Sequence, residues 1–397
     1  MTVADASVRY FHSGMSGAPV LSGSPGATIS VLDAFLVNGW GLVTLDSLIV
    51  SGNVATATRS AGIGPFEIGT VATVAGVTGG MTALNSSWKV ASASSTVVTF
   101  ATSGISDGTA AGTVTIKLAA AGWAKTYSGT NLAAYKPSDG AATGNLLRID
   151  DTGTTVARVV GYEAMSDVNT GTGPFPTTAQ VSGGLYWAKS STADSTARPW
   201  IAFADSRCFY LMVANNASYT DDFFCYTFGD LISTKTPDAY ACTIFGNTSS
   251  QATVYAAGAA SQNIDYLGAV VGCYLPRAYT GVGSSVNMAR NVTLHTTSPA
   301  GFSGGSAFQN VYPNAADGGL YVTPLILMEN TAGYVDRGLT PGLYIVPQTT
   351  IAAAPFTSKT SVTAFTGMTG KTLKAICHTG GSGYAGAYLF DLTGPWR

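Results

Sequence analysis

The sequence predicts a mainly β protein: several small sandwich- or barrel-like β-domains, with one short helix near the start. Three observations carry that expectation. Short runs of β-branched, aromatic and other apolar residues recur along the chain, separated by clusters of Gly, Pro, Asn and Asp. Where the runs can be phased, as in "GTVTIKL" at 112–118, they alternate with a period of two: Val114, Ile116 and Leu118 against Thr113, Thr115 and Lys117. Beyond the first forty or so residues no stretch carries a sustained helical stripe, a heptad or a clean internal repeat.

The elements follow in order. Residues 1–41 form a loop and helix: after "GAPVLSGSPG", Thr28 to Asn38 ("TISVLDAFLVN") has Thr28 as a candidate N-cap and Gly39 just past the end. Ile29, Leu32, Phe35 and Leu36 share a face, but Val31 and Val37 lie outside it. A helix apolar nearly all round is either buried or pressed against another subunit. Residues 42–120 read as one small β-domain. It contains a hairpin over 48–58 turning at Ser51-Gly52-Asn53, then "SSWKVAS", "STVVTFAT" and 112–118. A central β-sandwich is expected over 121–245, with "NLLRID", "ARVVGYEAM", "GGLYWAKS", "PWIAFAD" and "CFYLMVA" as strands and the turn-rich 167–184 as a surface loop. A C-terminal β-domain is expected over 246–397, from "ATVYAAG", "GAVVGCYLP", "VTLHT", "LYVTPLILM", "PGLYIVP", "LKAICHT" and "AYLFDL". Pro341 and Pro347 flank a short apolar run and favour an edge strand there.

Charge is the unusual quantity. Asp, Glu, Lys and Arg make up 10% of the chain, against roughly 25% in an ordinary soluble domain. The net charge of −2 offers no field to recruit nucleic acid or an anionic membrane, so neither is an expected partner. A neutral polar surface suits close packing between subunits, because few ions must be desolvated; it also suits sugar binding. Five cysteines scattered through the second half do not make a disulfide framework and are expected as reduced, mostly buried thiols. The start, "MTVADASVRYFHSG", lacks a cationic segment followed by an apolar core, so no secretory signal is expected.

Motif-shaped stretches weaken under their structural requirements. Gly381-Ser-Gly383-Tyr-Ala-Gly386 spells G-x-G-x-x-G, but a dinucleotide loop needs a helix after it. "AYLFDLTG" is strand-like, so a Gly-rich hairpin is expected and no cofactor. Gly301-Phe-Ser303-Gly-Gly305 matches a nucleophile elbow, with Asp336 and His378 following in hydrolase order. "LHTTSPA" before it is polar and broken by Pro299, so the triad reads as a chance match and no enzyme is expected. Asp150-Asp151, Glu163 with Asp167, and Asp221-Asp222 read as turn residues rather than acid/base pairs. Three histidines with only Cys377-His378 adjacent do not assemble a metal site. The aromatics Tyr186, Trp187, Trp200, Phe203, Phe209 and Tyr210 crowd one region and point first to a core plus a subunit interface. The second expectation is an exposed glycan platform at Tyr186, Trp187 and Trp200.

The N-terminal "FHSGMSGAPVLSGSPGATISVLDAFLVNGWG", the middle "LRIDDTGTTVARVVGYEAMSDVNTGTGPFP" and the C-terminal "PGLYIVP" and "FDLTGPWR" together resemble a family of tailed-phage and prophage virion proteins. "VATVAGVTGGMTALNSSWKVASASSTVVTFA" in turn resembles a β-module of phage structural proteins. The resemblance implies a multi-copy virion component of the tail, tail tip or baseplate, or head-tail junction. It would be made in the bacterial cytoplasm and located in the virion, with copies of itself and other virion proteins as partners. The alternatives are a receptor- or glycan-binding tail fibre or tailspike protein contacting host cell-surface polysaccharide, or a capsid decoration protein. Docking is expected through Val31, Leu32, Phe35 and Leu36 of the helix and through Trp396 and Arg397.

Overall fold

A computed structural model describes residues 2–218, 223–250, 271–291, 313–314, 316–329, 335–346, 357–363, 365, 367–377 and 387–397. Strands account for 46% of it and helices for 6%, so the protein is mainly β. Its strands form one 8-stranded and one 19-stranded sheet, and every described pairing is antiparallel.

The 8-stranded sheet contains the strands from Trp40–Thr44 through Thr115–Leu118, the stretch where a small β-domain is expected. Its hairpin pairs Ser47–Ser51 with Val54–Thr58 around Gly52 and Asn53, both at positive φ. The alternation at 112–118 places Val114, Ile116 and Leu118 inside. Elsewhere the expected divisions blur. The boundary between 245 and 246 falls inside the strand Cys242–Asn247, and the strand Arg9–His12 of the first segment pairs with Trp200–Ala204. The 167–184 stretch is not all loop, because Gly171–Phe175 pairs with the strand Val156–Met165 and buries Phe175 completely.

At the centre lie Trp200–Ala204, Cys208–Val213, Phe224–Asp230 and Cys242–Asn247, in which every residue is buried. Sheets covered on both faces read as continuous apolar runs rather than alternations, and the two coverings can be named. Phe209 faces the helical segment, with its ring 5.6 Å from Phe35 and also against Trp123 and Trp187. Its neighbour Tyr210 points the other way, to Phe390 and Trp396. Phe203, directly opposite Tyr210 in the ladder, stacks on Phe390 with centroids 4.0 Å apart. The C-terminal strands therefore fold back over the central ones.

The predicted helix exists with two corrections. It is α-helical over Ala27–Leu32 and continues as a π-helix over Asp33–Asn38, closed by a Gly39 N–H to Ala34 carbonyl bond of 2.8 Å. Gly39 has φ 64°, and a Cβ there would lie 2.0 Å from the Leu118 carbonyl oxygen, so the stop requires glycine. Thr28 is not the N-cap. The carboxylate of Asp151 accepts the N–H groups of Thr28 (2.7 Å) and Ile29 (3.2 Å), which leaves the helix start capped from a distant strand end.

Pro341 also departs from expectation. It lies within the 12-residue strand Val335–Val346, which is interior: Thr323–Glu329 pairs on one side, Ile232–Ser233 and Ala387–Asp391 on the other. The registers skip residues 340–342, so the missing proline N–H falls in a gap in the ladder. Tyr210 Oη donates to the Pro341 carbonyl at 2.7 Å. The strands Leu373–Cys377 and Ala387–Asp391 form the expected antiparallel pair, so a strand and not a helix follows the glycines; residues 378–386 themselves lie outside the described residues.

All five cysteines are free and buried. Burial pushes the Cys208 thiol up to about 12 and Cys377 to about 11, so thiolate is scarce at neutral pH. A thiol-reactive dye at pH 8 is expected to label the native protein negligibly and all five thiols after denaturation; rapid native labelling would refute the packing.

Candidate functional site

The strongest constellation of ionisable groups around an open cavity lies where three parts of the chain converge. The strand Arg9–His12 is held against Trp200–Ala204, with His12 opposite Ile201, and Tyr10 and His12 project from it on one side, ring centroids 5.5 Å apart. A turn of the small sheet brings in Glu67, fixed by Thr70, whose N–H and hydroxyl both donate to the Glu67 carbonyl. The C-terminal strands supply Lys374, and the adjoining turn supplies Lys359, tied to them by its N–H bond to the Ala375 carbonyl (2.7 Å). Together with Ser13, Gly14, Pro199, Trp200 and Phe223 these residues line a cleft of about 390 Å³, within the size range of small-molecule sites.

The hydrogen bonds define the charge in this cleft. His12 Nδ1 accepts the Gly14 N–H at 3.1 Å, which requires a bare nitrogen there and puts the proton on Nε2. Nε2–H then donates to Glu67 Oε1 at 2.7 Å. This bond, and secondarily the nearby charges, holds the Glu67 carboxyl below its ordinary range, against the opposing effect of burial. Lys374 is held below the usual lysine range by burial, with Glu67 acting in the opposite direction. Its Nζ lies 4.6 Å over the Tyr10 ring, and Lys359 Nζ lies 5.5 Å over Phe223. Lys359 and Lys374 line the same cleft as His12 and Glu67.

A more open cleft of about 550 Å³ runs past Thr143, Arg207, Asp230 and Lys235. Its ionic groups are already engaged: Asp230 accepts from Thr143 N–H and hydroxyl, and Lys235 donates to the Tyr279 carbonyl. It offers less to a ligand.

The residues singled out from sequence lie elsewhere, and most are inside. Val31, Leu32, Phe35 and Leu36 are all 0% exposed: the helix that is apolar all round is buried in its own chain, not presented to a neighbour. Trp396 is buried, donating from Nε1 to the Asp391 carbonyl (2.8 Å) and packing edge-on to Tyr210. Arg397 pairs with Asp205 at 2.7 Å and donates to the Asp230 carbonyl, so the expected docking end is an internal clasp. The glycan platform is likewise corrected. Trp187 and Trp200 are 1% and 0% exposed, with their indole N–H groups on the carbonyls of Phe245 and Pro19. Tyr186 is half-buried beneath the Arg158 guanidinium, 3.6 Å from the ring centroid. The large apolar side chains that do face outward are others, among them Leu42, Ile68 and Val282.

Of the triad, Asp336 is exposed at the start of its strand, while Ser303 and His378 lie outside the described residues. Glu163 is no partner for Asp167: it takes a two-pronged bond from Arg277 at 2.8 and 3.0 Å, and Asp167 caps its own turn through the Asn169 N–H. The pair Asp221-Asp222 lies outside the described residues. Asp150 accepts from Thr152 as a turn residue should, whereas Asp151 is fully buried, with the Lys189 ammonium at 2.5 Å. Sequence reasoning missed His12, Glu67, Lys359 and Lys374, which are separated by up to several hundred residues and carry no local signature.

No protein-family model matches the chain, and a search of curated proteins finds no relative. Among the described residues, no helix is long and apolar enough to cross a membrane.

Proposed function

We propose that the chain is a structural component of a tailed-bacteriophage particle, present in several copies at the tail, tail tip or baseplate, or head-tail junction. The observation that carries the reading is how charge is distributed. The sequence holds only 19 basic and 21 acidic residues, and among the described residues eight of these are buried. Several are locked in internal ion pairs: Asp151 with Lys189, Arg337 with both Asp238 and Glu329, and Arg397 with Asp205. The surface that remains is poorer in ions than the composition implies, and desolvating it against neighbouring subunits costs correspondingly little. The resemblance of the N-terminal, middle and C-terminal stretches to phage virion proteins points the same way.

The reading is tested by locating the chain in intact particles and counting its copies. A copy number matching a ring around the tail axis is the expected result. A purified chain that stays monomeric at high concentration and is missing from particles would overturn it.

A further inference from the structure

We propose that the outer face of the 8-stranded sheet is a contact surface between two copies of the chain, packed face to face about a two-fold axis. This contact would supply one of the interfaces that the multi-copy reading above requires, and it rests on that reading.

The strand registers fix what the face presents. Thr109, Ile49, Thr56, Thr99 and Ser92 stand side by side across five adjacent strands. Successive residues of a strand point to opposite sides, and the intervening Leu48, Val50, Ala55, Ala57, Val98 and Phe100 are buried in the core. The row itself looks outward: Ile49 is 43% exposed, and Ser92 and Thr109 are exposed as well. The neighbouring rows, Ser47–Thr58–Val97 on one side and Ser51–Val54 on the other, hold no ionisable group either. The charges that flank these rows along the chain are engaged elsewhere. Asp46 accepts the Ser60 N–H at 2.7 Å and Asp107 the Gly52 N–H at 3.0 Å; Arg59 donates to the Ala61 carbonyl at 3.3 Å, and Lys89 reaches the Leu392 carbonyl.

The chemistry of the face selects its occupant. A partner that brought a charge would have to strip it of water with no counter-ion to meet it, so the occupant is neutral. Hydroxyls both donate and accept. A face of Ser and Thr can therefore satisfy its own copy, as a two-fold contact requires, because the same patch serves both sides. Ser, Thr, Val and Ile also give an even relief, suited to two sheets stacked about 10 Å apart. No aromatic ring lies on the three rows, so the face lacks a stacking platform for saccharide. Five strands wide and five residues long, it measures about 24 by 17 Å. Pairing two such faces buries on the order of 1,000 Å² in all, the lower limit for a specific contact. The dimer is expected to be weak in solution and to persist where copies are held close together.

The test is sedimentation of the full-length protein between about 10 µM and 1 mM. The parent is expected to pass from monomer to dimer with a Kd of about 100 µM. Thr56→Lys, at the centre of the row, should weaken the dimer at least about tenfold, because each copy then brings an ammonium into the contact. Thr126→Lys, exposed on the other sheet, should leave it unchanged. A parent that stays monomeric at about 1 mM, or unchanged association in a folded Thr56→Lys protein, overturns the proposal. So does an equal loss in Thr126→Lys, or competition by dextran, which would give the face to a neutral saccharide. Should Thr56→Lys fail to fold, Ser92→Lys at the exposed end of the row decides in its place. Failure here is separable from failure of the multi-copy reading: several copies counted in intact particles, joined through another surface, would leave that reading standing.

Discussion

Replacing Asp151 by Asn is expected to lower the free energy of unfolding by about 3–5 kcal/mol, read as a fall in the urea midpoint at unchanged slope. The side chains of Asp151 and Lys189 are 0% and 1% exposed, with Nζ 2.5 Å from Oδ1. The same carboxylate receives the first N–H groups of the helix. Burial pushes the Asp151 carboxyl up and the Lys189 ammonium down, while their mutual attraction opposes both shifts. Asn keeps the shape and one acceptor but removes the negative charge, so the buried ammonium is left with neutral partners alone, among them the Ser24 carbonyl at 2.8 Å. The double change Asp151→Leu with Lys189→Met removes both charges. It should recover most of the ionic cost while retaining the cap loss of about 1 kcal/mol. If Asp151→Asn unfolds at the same urea concentration as the parent, the buried pair contributes nothing and the account is wrong.

Trp396→Ala is expected to cost about 3–5 kcal/mol of stability in the isolated chain. Trp396 packs against Tyr210 in the layer between the central and C-terminal strands. It also sits so close to Gly342 that a Cβ there would approach the indole to 2.1 Å, and Gly342 has φ 65°. Removing the ring loses this packing, so the expected loss combines transfer and cavity terms. The outcome separates two roles for this end of the chain. An internal clasp loses stability whether or not partners are present. A docking anchor would leave the isolated chain as stable as before and weaken assembly instead.

Strand content was legible because period-two alternation and turn residues are local signals. The hairpin at 48–58 and the strand ending at Leu118 lie where their patterns put them. The helix was legible too, since an all-round apolar segment between glycines has few alternatives. Its cap was not, because Asp151 lies more than a hundred residues away and looks like any Asp in a turn. Gly171–Phe175 was hidden for the opposite reason: Gly, Thr and Pro signal loop locally, and only pairing with Val156–Met165 makes the stretch a strand.

The sites were less legible than the fold. Aromatic crowding around Tyr186, Trp187 and Trp200 does not say whether the rings face solvent or one another; in the structure Trp187 stacks on Tyr226. Low charge does not say which ions are turned inward. By itself the sequence determined a mainly β chain with few charges, buried thiols and one short apolar helix, because composition and short-range periodicity suffice for those; that the helix is buried in its own chain was decided by the tertiary structure. Only the tertiary structure decided that Asp151 caps the helix, that Trp396 and Arg397 close the core, and that His12, Glu67 and Lys374 meet in one cleft. Each depends on antiparallel pairings between distant segments, which bring together groups whose local surroundings record nothing of the partner.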